Sequence, residues 1–96
     1  MKEPRPPTSV AMTFGRVLRA ARKAAHLTQE QLAGLADLDR TYPSLIERGL
    51  RTPAGGVLLR IAAALNTPAT QLIERLEGQL LDIHGSARDR KQNLSH

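Results

Sequence analysis

At 96 residues the chain is long enough for one domain with a single modest core. Its 14 Lys and Arg against 9 Asp and Glu leave a net charge of +5, which favours a phosphate-bearing partner without requiring one. The lack of cysteine excludes disulfides, thiolate zinc sites and cysteine nucleophiles, and no apolar run approaches the length of a membrane span.

No segment alternates as a strand does. The chain is rich in Ala, Leu, Arg and Gln, all good helix formers, and Phe14 and Tyr42 are its only aromatic residues. An all-α bundle with an aliphatic, closely packed core is the expected fold. Met1 to Ser9 carries three prolines and reads as an unstructured leader, although a basic arm of this kind can also touch DNA. No signal-peptide core follows Lys2 to Pro7, so a cytoplasmic location is expected. Phe14 to Ala25 is amphipathic, with Phe14, Val17, Leu18 and Ala21 inward and Arg16, Arg19 and Lys23 outward. His26 then falls at a helix end, where a solvated imidazole complements the dipole. His84 and His96 are too distant from it in sequence to suggest a metal site.

Thr28 is a good N-cap, and Gln31 at the third helical position completes a capping box. Leu32, Ala33 and Ala36 share one face of this second helix, while Gln29 and Glu30 stay in solvent. Residues 36–38 make a break, and Asp39 is suited to cap a third helix that buries Ile46 and stops at Gly49. Two helices joined by so short a turn have the geometry of a helix-turn-helix. Leu50 to Gly56 reads as a loop held by Pro53, and Val57 to Leu65 as a fourth helix placing Leu58, Ile61, Ala62 and Leu65 in the core. Thr67-Pro68 restarts the chain as a cap followed by proline at the first helical position. The fifth helix runs from Pro68 to Glu77 with continuation to Ile83 left open, and the polar stretch beyond Gly85 is expected to fray.

Asp37, Asp39, Glu47 and His84 form no nucleophile–base–orienter set, and no Gly-rich phosphate loop occurs. No enzymatic activity, metal or cofactor is therefore expected.

The pieces FGRVLRAARKAAHLTQEQLA, LDRTY, IERG and LLRIAAAL occur in that order between Phe14 and Glu77. Their sequence and spacing resemble the Cro/phage-repressor-like (XRE-type) helix-turn-helix family. The resemblance implies a five-helix bundle over residues 11–77, between an arm at 1–10 and a C-terminal extension, helix or tail, at 78–96. It also implies a regulator of transcription that binds double-stranded DNA. Gln29 would bond a phosphate and brace the third helix, and Arg22 with Glu47 would form an internal ion pair. Arg40, Thr41, Ser44 and Leu45 would enter the major groove, where Arg suits guanine and Leu45 makes only apolar contact. Tyr42, Arg48, Arg51 and Thr52 would join Gln29 in contacting the backbone. Without the motif, the same residues would be a solvated helix face with scattered arginines.

Four positions depart from the family pattern. Asp37 and His26 stand where glycine is usual, and Gly55 replaces an apolar residue that normally opens the fourth helix. Pro43 replaces a branched apolar residue beneath the recognition helix. Counted from an Asp39 cap, it removes the hydrogen bond to the Asp39 carbonyl, which predicts a distorted first turn. The competing reading starts the helix at Pro43, with Tyr42 as its cap. On the first reading, Pro43→Ile should raise the melting temperature.

Ile73, Leu76, Leu80 and Ile83 recur at spacings of three, four and three, an apolar seam interrupted by Gly78. Part of that seam completes the domain core. The remainder suggests a homodimer, which would act as a repressor on a pseudo-palindromic operator. The alternative is an antitoxin or adaptor whose helix-turn-helix domain binds an unidentified protein partner.

Overall fold

The computed structural model describes the backbone of residues 8–94 and the side chains of residues 8–82. Among the described residues there are five helices and no strand: α1 Ser9–Ala24, α2 Gln29–Ala36, α3 Tyr42–Glu47, α4 Gly55–Ala64 and α5 Ala69–Leu94. Thr8 caps α1, its hydroxyl oxygen accepting from the Ala11 N–H at 3.1 Å. The helix therefore starts five residues before Phe14 and takes in Ser9 and Val10, which the sequence suggested for the arm. Ala11 and Thr13 are buried as a result. Residues 1–7 of that arm lie outside the described residues.

Thr28 and Gln31 form the capping box of α2: Gln31 N–H donates to the Thr28 hydroxyl at 3.0 Å and Thr28 N–H to the Gln31 side chain at 2.9 Å. The ends of α1, α2, α3 and α4 share one closure. A residue in the left-handed conformation follows each helix, namely His26 (φ 59°), Asp37 (φ 56°), Gly49 (φ 76°) and Asn66 (φ 52°). The next N–H turns back onto the helix: Leu27 to Arg22, Leu38 to Ala33, Leu50 to Leu45 and Thr67 to Ala62, all at 2.8–3.1 Å. Only one of the four is glycine.

α4 starts two residues before Val57, at Gly55, and its cap residue Ala54 offers no side-chain oxygen. α5 begins at Ala69, one residue later than the Thr67-Pro68 pattern predicts. Thr67 does not cap it; its hydroxyl donates backward to the Leu65 carbonyl at 3.2 Å. The same helix runs for 26 residues to Leu94, past both Glu77 and Gly85. Residues 86–94 lack proline and glycine and include Ala, Arg, Lys and Gln, so nothing in their chemistry breaks it.

α1 packs against α3 and α5, α2 against α3 and α4, and α4 against α5. The shared core is Phe14, Val17, Leu18 and Ala21 of α1, Leu32 and Ala36 of α2, Ile46 of α3, Ile61 and Ala62 of α4 with Leu65 after it, and Leu72 of α5. Nearly all are aliphatic, so the arrangement of the helices rests on close packing more than on aromatic area.

Candidate nucleic-acid interface

α3 is only six residues long, and it is fixed from below. Ile46 and Pro43 are fully buried. Behind them, Gly15 of α1 lies so close that an added Cβ would stand 2.6 Å from the Ile46 carbonyl oxygen and 2.7 Å from that of Glu47. This close approach was not legible from the sequence, where a glycine inside an amphipathic run signals only lower helix propensity.

A polar clamp holds the other side of α3. Arg22 Nε and Nη2 donate to the two Glu47 carboxylate oxygens at 2.6 and 3.0 Å, the bidentate arrangement of a guanidinium on a carboxylate. Arg22 Nη1 reaches the Leu27 carbonyl at 2.7 Å. Gln29 Nε2 donates to Glu47 at 3.1 Å. One arginine thus joins the end of α1, the start of α2 and the end of α3. The ion pair is largely buried, with side-chain exposures of 11% and 5%. The hydrogen bond to Glu47 holds the Arg22 pKa above its ordinary value, against the opposing effect of burial. A pair of this kind fixes geometry more than it adds stability, because desolvation offsets much of its attraction.

The start of α3 resolves the question that Pro43 posed. The Tyr42 N–H bonds the Asp39 carbonyl at 2.9 Å, so the acceptor that proline leaves without its partner is occupied by the residue before it. The α-helix then begins at Tyr42 with Pro43 in its first turn. Thr41 stands at the cap position without a side-chain capping bond. The Asp39 side chain accepts instead from the Thr41 N–H at 2.8 Å and the Thr41 hydroxyl at 2.6 Å. Those two bonds hold the Asp39 carboxyl below its ordinary pKa, in the order hydroxyl then N–H. Neither reading of the sequence anticipated this: Asp39 caps a tight turn ahead of the helix, and Tyr42 is the first helical residue.

Arg40, Thr41, Arg48, Arg51 and Thr52 are exposed, and Ser44, Leu45 and Tyr42 are half-buried. Tyr42 packs one side against the core while the Arg51 guanidinium lies 5.4 Å from its ring centroid. Gln29, at the first position of α2, is already engaged with Glu47 through its amide nitrogen. The structure therefore brings Arg40, Thr41, Ser44 and Leu45 onto one short turn and helix, with Arg48, Arg51 and Thr52 at its exit. Among the described residues, no group of three His, Asp or Glu could hold a metal ion, and no helix is long and apolar enough to cross a membrane.

The seam residues separate. Ile73 and Leu76 line an apolar groove of about 170 Å³ with Val10, Phe14, Thr52, Pro53 and Leu58. Leu72, not among the seam residues, is the α5 side chain that fills the core centre. Leu80 is half-buried, and the side chain of Ile83 lies outside the described residues.

A family model described as a helix-turn-helix domain matches residues 13–76. The chain belongs to that family, in its Cro/phage-repressor-like (XRE-type) form. An uncharacterised HTH-type transcriptional regulator of Mycobacterium tuberculosis is 41% identical over 61 residues, covering 64% of this chain and 44% of the relative. The immunity repressor protein of Bacillus phage phi105 is 39% identical over 62 residues, 65% of this chain and 43% of the relative. The chain therefore spans less than half the length of these two relatives. The crystal structure of the restriction-modification controller protein C.AhdI from Aeromonas hydrophila superposes with a TM-score of 0.66 at 38% identity, covering 68% of this chain and 98% of that one.

Proposed function

We propose that this chain is a cytoplasmic, non-enzymatic regulator of transcription that binds double-stranded DNA in a sequence-specific way, as a homodimeric repressor on a pseudo-palindromic operator. The observation that carries the reading is the mounting of α3. A face bearing Arg40, Thr41, Ser44 and Leu45 is exposed or half-exposed, while the buried side is locked by Ile46, Gly15 and the Arg22–Glu47 clamp. A short helix held this rigidly can present side chains to base edges with little ordering cost on binding. Arg48, Arg51, Tyr42, Thr52 and Gln29 surround it as contacts to phosphate. The repressor sense is supported by the phage immunity repressor among the relatives.

The test is binding of the full chain to a random duplex pool, followed by selection. Arg40→Ala should relax base preference at one position of each half-site. Arg48→Ala should weaken binding to all sequences alike and reduce its salt dependence by about one phosphate contact. Unaltered binding in both variants would favour the adaptor reading, in which the exposed apolar groove of α5 takes a protein partner.

A further inference from the structure

We infer that Asp39 is a positioning residue that sets the hydrogen-bond polarity of Thr41, so that Thr41 reads an exocyclic amino group, on cytosine or adenine, in the major groove. The inference rests on the DNA-reading proposal and adds to it the chemistry of one base position.

A threonine hydroxyl has one proton and two lone pairs, which in general lets it pair with a donor or an acceptor on a base. Here that freedom is removed. The Asp39 carboxylate, when ionised, only accepts, so the 2.6 Å contact with Thr41 Oγ1 must be a bond that the hydroxyl donates. The length is that of a charge-assisted O–H···O⁻ bond. The Thr41 N–H donates to the same Asp39 oxygen at 2.8 Å, which fixes the carboxylate on the turn and orients the hydroxyl proton toward it. With its proton spent, Thr41 Oγ1 presents lone pairs alone. It can accept from cytosine N4 or adenine N6. It has no proton for guanine O6 or N7, thymine O4 or a phosphate oxygen.

The charge of Asp39 agrees with this role. The carboxylate is solvent-exposed on a surface proposed to meet a polyanion, where it opposes phosphate binding. A carboxylate oxygen is, however, a good acceptor for a base amino group. Asp39 and Thr41 therefore form an acceptor-only pair two residues apart, adjoining Arg40, which supplies only donors.

The test uses the full chain in selection from a random duplex pool, with four proteins compared. The wild type should enrich cytosine or adenine at one half-site position. Thr41→Val keeps the shape and methyl but lacks the hydroxyl, and should lose about tenfold discrimination at that position and little elsewhere. Asp39→Ala frees the hydroxyl proton, and should relax the same position so that guanine or thymine is admitted beside the amino bases. Asp39→Asn retains an acceptor oxygen for Thr41 and should keep the preference for an amino base. A role confined to folding would instead weaken binding evenly across positions in Asp39→Ala, and that result would overturn the inference. So would a wild-type preference for guanine or thymine at the Thr41-dependent position. A wild-type chain that binds no duplex would overturn the DNA-reading proposal itself, an outcome distinct from either.

Discussion

Gly15 shows how much one missing methyl can decide. Inside a helix, glycine is less favourable than alanine by about 1 kcal/mol, so replacing it normally stabilises. At Gly15, however, the atoms that a Cβ would meet are backbone carbonyls of Ile46 and Glu47, at 2.6 and 2.7 Å, which cannot rotate away. α3 would have to move off α1 and take Glu47 with it, straining the clamp to Arg22. Gly15→Ala should therefore destabilise by roughly 1–3 kcal/mol, the range for overpacking a close contact. Gly34 is the matching control. It sits in α2 with open space around its Cα, so Gly34→Ala should stabilise by about 0.5–1 kcal/mol. Urea unfolding of the two variants beside the wild type measures both. A Gly15→Ala variant as stable as the wild type or more so would show that the α1–α3 approach is not fixed by Gly15.

At the scale of elements, the helices whose start and stop signals lie in their own residues were the legible ones. α2 is read correctly from Thr28, Gln31 and the Asp37 stop, because a capping box and a left-handed cap are local. The start of α3 was legible only in part, since it depends on which N–H takes the Asp39 carbonyl, a choice made by the turn geometry. The Arg40–Leu45 face follows the family motif, whereas the Asp39–Thr41 bond and the Gly15 contact depend on turn geometry and helix packing that no local residue pattern signals. The length of α5 is not legible in the sequence because residues 86–94 carry no apolar periodicity and their polarity suggests fraying, although their helix propensity is adequate. The Pro43 account changes sign as a consequence. Proline here breaks no hydrogen bond, since Tyr42 N–H serves the Asp39 carbonyl, and its ring is fully buried. Pro43→Ile would release backbone entropy into the unfolded state and force a larger side chain into a filled site. Stability should stay level or fall by up to about 1 kcal/mol, which lowers the melting temperature by at most roughly 4–8 °C. A clear rise would restore the strained-turn account that the sequence suggested.

At the scale of the whole molecule, α5 is too long for the domain it completes. A 26-residue helix extends about 39 Å, and among the described residues Ala69, Leu72 and Leu76, all near its start, lie in or against the core. Isolated helix of that length gains little from propensity alone and is stabilised chiefly by a packed face. The apolar side chains near its N-terminal half remain uncovered: Ile73 is 39% exposed, Leu81 48%, and Val10 of α1 beside the same groove 48%. A second copy related by a two-fold axis would cover this surface in both chains at once, because the same patch serves each partner. On the DNA-reading proposal, the two α3 helices of such a dimer would be expected to meet half-sites about 34 Å apart, one turn of duplex. Ile73→Glu tests this without emptying the core, since the side chain is exposed in the single chain. Sedimentation at micromolar protein should give a dimer mass for the wild type and a monomer for the variant. On a duplex with two half-sites, the variant should lose at least about a hundredfold in affinity through lost avidity, and much less on a single half-site. A wild-type monomer mass independent of concentration would refute the dimer. Recognition would then have to come from one α3 of six residues, whose few base contacts could not by themselves specify an operator.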